Sequence, residues 1–247
     1  MQPLTAIQLL DTWEQGYARP PARQALLLLA AASPGTPLEA LARLSIGRRD
    51  RRLLRLRAWT FGPRIVARAD CPACGERLEL DFRVEDLVAD EAAGLDTNPE
   101  PLALQMAGYD LRFRLPNSLD LEAVAASGGN GEGRRRLLAR CLLEARGEAG
   151  EAPAETLPDE VVEAVAARMA AADPQAEVEL ALSCPACDHR WQAVFDISAF
   201  FWEEVEAWAQ RTLREVHALA GAYGWRETDI LALSAWRRQA YLEMIGA

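Results

Sequence analysis

The stretches Cys71-Pro72-Ala73-Cys74-Gly75 and Cys184-Pro185-Ala186-Cys187-Asp188 decide how this 247-residue chain is read. They are near copies of one another. A Cys-x-x-Cys pair on a tight turn, a knuckle, points two thiolates at one metal ion. Proline fixes one backbone angle of that turn, and the residue after the second cysteine, Gly75 or Asp188, tolerates a left-handed conformation. Two knuckles facing each other complete a tetrahedral site. Cys71, Cys74, Cys184 and Cys187 are therefore the expected ligands of one structural zinc ion, Zn2+. A catalytic zinc keeps an open coordination position, and four thiolates leave none. A redox role for the pairs would call for a thioredoxin-like βαβ setting, which the flanks do not offer.

Those flanks alternate with period two, the mark of half-buried strands. Leu78, Leu80, Phe82 and Val84 alternate with Glu79, Asp81 and Arg83 after the first knuckle. Val178, Leu180 and Leu182 precede the second, and Trp191, Ala193, Phe195 and Ile197 follow it. Strand, knuckle, strand, twice over, is a zinc ribbon. Its spacer is unusually long, since 109 residues separate Cys74 from Cys184. A helical insertion must leave the ribbon and return to it. His189 is expected as a polar partner near the second knuckle, Cys141 as a buried helix residue and His217 as a structural or surface residue.

The expected fold class is α+β, mainly helical. A small antiparallel four-cysteine zinc ribbon carries a long helical insertion and flanking N- and C-terminal helices. Residues 1–61 read as an N-terminal helical segment and residues 62–84 with 176–198 as the discontinuous ribbon. Residues 85–175 read as a mainly helical insertion and 199–247 as a C-terminal helical segment. Within the insertion, Asp86, Asp90, Glu91, Asp96 and Glu100 make an acidic, loop-like start, and Leu111, Phe113 and Leu115 alternate as a short strand. Helices are expected from a cap at Asn117 or Ser118 through Val124, over 134–146 and over 159–172. Near the C-terminus, a long helix is expected to end around Gly221 and Gly224, and a final helix to start at Thr228 or Asp229.

Composition narrows the function classes. Lys+Arg total 27 against 37 Asp+Glu, a net charge of −10, and every one of the cations is arginine. A general nucleic-acid binder needs a basic face to displace counterions, so the balance weighs against that partner. No signal peptide or membrane span is read: Asp11 and Glu14 replace a basic start, and the run 25–32 is too short to cross a bilayer. A cytoplasmic protein without a membrane or small-molecule partner is expected. The chain has no Gly-x-Ser-x-Gly and no His-Glu-x-x-His, and only two histidines. Gly128 to Gly133 is followed by Arg134-Arg135 where a phosphate loop requires Lys and Ser or Thr, so it reads as a linker. The chain is read as not an enzyme.

Two stretches are candidate partner surfaces. Arg48, Arg49, Arg51, Arg52, Arg55 and Arg57 interleave with leucines on one helix. That pattern gives a solvated basic face, or a docking face, in which Arg48 and Arg52 take part, for an acidic partner or for the chain's own acidic insertion. Trp202, Trp208, Trp225, Trp236 and Tyr241 concentrate aromatic surface in the last 46 residues. They form either a core or a binding site, since Trp, Tyr and Arg dominate interface energetics.

Several motifs then join into one pattern. Leu4-Thr5-Ala6 and Leu9-Leu10-Asp11-Thr12-Trp13-Glu14 open the chain. Ile46-Gly47-Arg48-Arg49-Asp50 and Phe61-Gly62-Pro63 precede the first knuckle. Phe113-Arg114-Leu115-Pro116-Asn117-Ser118-Leu119-Asp120-Leu121 lies between the knuckles. Tyr223-Gly224-Trp225, Asp229-Ile230-Leu231-Ala232-Leu233-Ser234, Arg237-Arg238 and Tyr241-Leu242 close the chain. Together these resemble the T4-like baseplate hub assembly chaperone family, whose members accompany contractile phage tails and extracellular contractile injection systems. The resemblance implies a non-enzymatic assembly factor whose partners are baseplate hub or spike proteins. A permanent structural baseplate component is the alternative, and a zinc-ribbon nucleic-acid-binding regulator a third reading.

Overall fold

The structure, a computed structural model, describes residues 1–88, 101–126, 133–148 and 150–246. Asp90, Glu91, Asp96 and Glu100 of the acidic stretch lie outside the described residues, as does most of the glycine-rich stretch 128–133. The chain divides into two compact units, a terminal unit of Met1–Gly35 with Ser198–Ala247 and a central unit of Thr36–Ile197. All five cysteines belong to the central unit. The class is α+β and mainly helical, with small antiparallel sheets.

The terminal unit is built from helices. α1 (Ala6–Gly16) starts at a capping box in which Thr5 Oγ1 accepts from the Gln8 amide and the Gln8 side chain accepts from the Thr5 amide. α2 (Pro21–Ala32) starts at a proline, whose missing N–H costs nothing in a first turn, and buries Ala25, Leu26, Leu28, Leu29 and Ala32. The unit's remaining helices come from the other end of the chain. Their core joins Leu10 to Ala209, Val216, Leu219, Ile230, Leu231 and Leu242, all apolar.

The central unit begins with α3 (Leu38–Ala42) and α4 (Ile46–Phe61), followed by a hairpin of β1 (Arg64–Asp70) and β2 (Arg77–Arg83) and a single turn α5 (Val84–Leu87). A four-stranded antiparallel sheet follows. It comprises β3 (Leu102–Met106), β4 (Tyr109–Phe113), β5 (Leu142–Gly147) and β6 (Gly150–Glu151), in that order across the sheet. Helices α6 (Ser118–Ala126) and α7 (Gly133–Cys141) connect β4 to β5, and α8 (Asp159–Ala172) follows β6. Leu111 and Phe113 of β4 pack with Leu138, Leu157, Val161, Val162 and Val165 as this layer's core. A second hairpin, β7 (Val178–Ser183) and β8 (Arg190–Phe195), closes the unit. The long α9 (Ile197–Tyr223), α10 (Glu227–Ala232) and α11 (Ala235–Ile245) end the chain.

The insertion holds more strand than expected. The helix expected over 134–146 stops at Cys141, and Leu142–Gly147 pair with β4 instead. Strand pairing satisfies the open edge of β4, a long-range term that overrides helical spacing. The final helix is also interrupted. Leu233 leaves the helical conformation, and the Ser234 side chain caps α11 by accepting from the Arg237 amide at 3.3 Å. Among the described residues no helix is long and apolar enough to cross a membrane.

Candidate metal centre

Both knuckles sit at the tips of their hairpins, between strands paired without a bulge. The turns are the same turn twice. The Gly75 amide donates to the Cys71 carbonyl at 2.9 Å and the Asp188 amide to the Cys184 carbonyl at 3.0 Å. The Cys71 amide donates to the Glu76 carbonyl and the Cys184 amide to the His189 carbonyl. Gly75 at φ 77° and Asp188 at φ 57° take the left-handed conformation such turns require. His189 thus supports the knuckle through its backbone, while its ring stacks on Trp191 at 5.9 Å.

The hairpins bring the four thiols together. All four Sγ atoms lie within 4.8 Å of one another. Cys71 is 3.7 Å from Cys187 and Cys74 is 3.6 Å from Cys184, so each close pair crosses from one knuckle to the other. These are not disulfides, whose sulfurs sit about 2.05 Å apart. A tetrahedron with metal–sulfur bonds of about 2.3 Å has sulfur–sulfur edges of about 3.8 Å. The two cross-pairs match that edge. Cys71 and Cys184 are buried, Cys74 and Cys187 exposed.

The electrostatics lead to the same conclusion. Burial works against a Cys71 thiolate, yet the amides of Cys74 and Ala73 and the thiols of Cys74 and Cys184 outweigh it, bringing its pKa down to about 7. Cys187 goes the other way, to about 12. The His189 amide favours its thiolate, but crowding by the Cys74 thiol, burial and the remaining thiols prevail. Four sulfurs this close do not all ionise unaided; a central cation removes that penalty. The donor set fits a soft, tetrahedral divalent ion.

The structure disperses the other candidates. Trp202 is buried against Gly16: a methyl on that glycine would meet the indole at 2.2 Å. Trp208, Trp225 and Tyr241 are partly buried around the terminal core, with Trp225 and Tyr241 edge to face at 4.9 Å. Trp236 stands out at 80% exposure. Cys141 is fully buried at the end of α7, its thiol pushed up to about 12 by burial and by the Asp120 carboxylate. His217 is exposed on α9.

The arginine helix is not a uniformly solvated face. Arg48 and Arg52 are half-buried, and Arg49 and Arg57 are buried. Arg49 pairs with Asp50 at 2.6 Å and reaches the Ser118 hydroxyl. Arg57 donates to the carbonyls of Gly62 and Arg64, tying α4 to the start of β1.

A polar joint that the sequence did not announce explains two of the quoted motifs. Asn117 caps α6: its side chain accepts from the amides of Leu119 and Asp120, and the Asp120 carboxylate accepts from the Asn117 amide. Asp120 is fully buried and also accepts from Arg114, twice, and from Arg140. Burial works against the ionised form, but these partners hold its carboxyl below the usual range. The Ile46 amide donates to the Pro116 carbonyl, so Ile46-Gly47-Arg48-Arg49-Asp50 meets Pro116-Asn117-Ser118 directly. Asp173 accepts from the Gly47 amide at 2.9 Å and so caps α4 from 126 residues away. A methyl on Gly47 would lie 2.1 Å from the Asp173 carboxylate and 2.8 Å from the Ala176 amide nitrogen, so only glycine allows the approach.

Fold and site together define a mainly helical α+β protein whose central unit carries a four-cysteine ribbon that can hold a metal ion. The family model described as T4 bacteriophage base plate protein matches residues 28–202, more than two thirds of the chain. The chain belongs to that family. The matched region contains the whole central unit, with both knuckles and the polar joint. No curated protein and no solved structure matches the chain.

Proposed function

We propose that this chain is a non-enzymatic, zinc-binding assembly factor, a chaperone, for the hub or spike of the baseplate in a contractile phage tail-like injection system. The observation that supports it is the convergence of four thiols, drawn from hairpins 110 residues apart, inside the region that matches the baseplate family. A closed four-thiolate site contributes folding energy rather than chemistry. In this reading zinc fixes the hairpins so that the central unit presents one defined surface to its partners. The chaperone would cover a strand edge or apolar surface of a hub or spike protein in the cytoplasm until the next component docks.

A tagged pull-down from the native host, with mass spectrometry of the bound fraction and of finished particles, tests it. Hub or spike proteins in the bound fraction, with this chain missing from particles, are expected. The chain at fixed stoichiometry in particles would instead make it a permanent baseplate component. If no baseplate protein is bound, both readings fall. Elemental analysis of the purified protein is expected to give one zinc per chain.

A further inference from the structure

The two hairpins are twins inside and opposites outside. Counting from the cysteines, Phe82 corresponds to Phe195, and these two rings meet edge to face at 5.6 Å. Leu78 corresponds to Trp191 and Leu80 to Ala193, alternating residues that are half-buried in both hairpins. The exposed positions diverge. Arg68 corresponds to Ala181, Asp70 to Ser183, Glu79 to Gln192 and Asp81 to Val194. Four charges on the first hairpin are thus uncharged residues on the second, where Val194 is 64% exposed, while at one position the exposed Val66 of the first gives way to Glu179.

One charge survives on both. Arg77 and Arg190 occupy the same position, three residues after the second cysteine. In the first hairpin Arg77 faces Asp70 across the strands and pairs with it at 3.0 Å. In the second, Arg190 faces Ser183. Among the described residues Arg190 makes no ion pair. A hollow of about 390 Å³ opens beside it, lined by Ala181, Leu182, Ser183, Arg190, Trp191 and Gln192. The first hairpin's exterior carries a second internal ion pair, Arg64 on Asp81. Such a face is solvated and resists strand association. Near its knuckle the second exterior has lost that protection and keeps a guanidinium that faces Ser183 in place of a carboxylate.

We infer that the outer face of the second hairpin is the docking surface for an acidic segment of another baseplate protein. The partner's carboxylate takes the place on Arg190 that Asp70 takes on Arg77, and an adjacent apolar side chain fills the hollow at Ala181, Ser183 and Gln192. Arg190 supplies the bidentate fork that a carboxylate prefers, and its neighbours on that face, Ser183 and Gln192, offer it no internal carboxylate. Net charge does not drive this encounter, because the chain carries −10 overall. Recognition is local. This inference rests on the proposed role in baseplate assembly and names the surface and the chemistry that role uses.

Metal-loaded protein and each purified baseplate protein of the same particle, presented singly by biolayer interferometry, provide the test. Ser183→Asp installs the carboxylate that the first hairpin has and captures Arg190 internally. It is expected to weaken binding of at least one baseplate protein by about tenfold or more, as is Arg190→Glu. Asp70→Ser, at the twin position, is expected to leave binding unchanged. If Ser183→Asp and Arg190→Glu keep their metal and bind like the wild type, the surface is wrong and the proposed function stands. If the wild type binds none of these proteins, both fall. If sedimentation shows the wild type self-associating and Ser183→Asp monomeric, the occupant is a second copy of this chain and the inference is overturned.

Discussion

The central and terminal units are held together by different physics. The terminal unit closes chiefly on an apolar core, Leu10 with Ala209, Leu219, Ile230 and their neighbours, with an ion pair, Arg238 to Glu215 at 2.9 Å, between α11 and α9. The central unit has an apolar layer under its four-stranded sheet, but its distant segments meet through polar and thiol contacts: the four cysteines, Asp173 on Gly47, Asp120 between Arg114 and Arg140. Apolar contacts are non-directional and tolerate repacking. Thiolate and buried carboxylate contacts fix geometry and fail abruptly when one partner goes. The family match covers the whole directional unit and only residues 28–35 and 198–202 of the apolar one.

The largest expected effect is loss of the metal. Cys184→Ser should remove most of an apparent binding free energy on the order of 10 kcal/mol, the scale of a structural four-ligand zinc site. Metal content and hydrogen-exchange protection of residues 64–83 and 178–195 should fall together, while the amides of α2 keep theirs. If the variant holds full metal at an unchanged melting temperature, the single-site account is broken, and the contrast between the units with it.

Next come single contacts in each unit. Trp202→Ala should cost the terminal unit about 4 kcal/mol, the scale of a large apolar deletion in a core. In the central unit, Gly47→Ala drives a methyl into Asp173, and Asp120→Asn strips the charge from a carboxylate that holds two arginines. Each should cost about 3 kcal/mol in denaturant unfolding. All three should keep one metal per chain. Metal loss in Gly47→Ala alone would show that the joint also sets the hairpins, a sharper version of the directional reading.

Stability should also depend on pH through Asp50 in the central unit. Burial pushes its carboxyl up to about 6, Arg49 opposes the rise, and Asp196 and Asp173 add to it. The folded protein therefore holds this proton more tightly than the unfolded chain. Its contribution is full below about pH 4 and lost as pH rises through about 6. Relative to Asp50→Asn, the wild type should lose on the order of 2 kcal/mol between those limits. A parallel pair of stability curves would exclude Asp50 as the cause.

What could be read in advance follows the same divide. The knuckles were legible because Cys-Pro-Ala-Cys-Gly is a local code: spacing, proline and a left-handed residue specify the turn whatever surrounds it. The cap at Asn117 and helix α8 were local as well. Strand β5 was not, because Leu137, Leu138, Cys141 and Leu142 also fit helical spacing, and only pairing with β4 decides between the two. Nothing local marks Asp173 as the cap of a helix that begins 127 residues earlier, and a glycine in a first turn is a faint hint. Arg49 and Arg57 read as solvated or docking charges because their partners, Ser118 and the carbonyls around Gly62, are visible only in three dimensions. Arg190 was within reach of the sequence: aligning the two knuckle hairpins residue by residue exposes the missing Asp70 equivalent.

The smallest expected effect separates two tryptophans that composition could not tell apart. Trp202 and Trp236 belong to the same aromatic run, yet one lies against Gly16 at 7% exposure and the other at 80%. Trp236 begins a stripe on α11 that continues through Ala240 to Met244, at helical spacings of four, and Met244 is 74% exposed. A side chain that surrounds itself with solvent contributes little to folding, so Trp236→Ser should change the unfolding free energy by less than about 0.5 kcal/mol and leave the midpoint nearly fixed. If it costs as much as Trp202→Ala, the indole is packed in solution and the terminal unit's core extends beyond α11's inner face. If the midpoint stays fixed, Trp236 is free of any folding duty. A tryptophan that leaves its fold untouched is then a clean probe, since any change its substitution causes in baseplate-protein binding reports contact rather than stability.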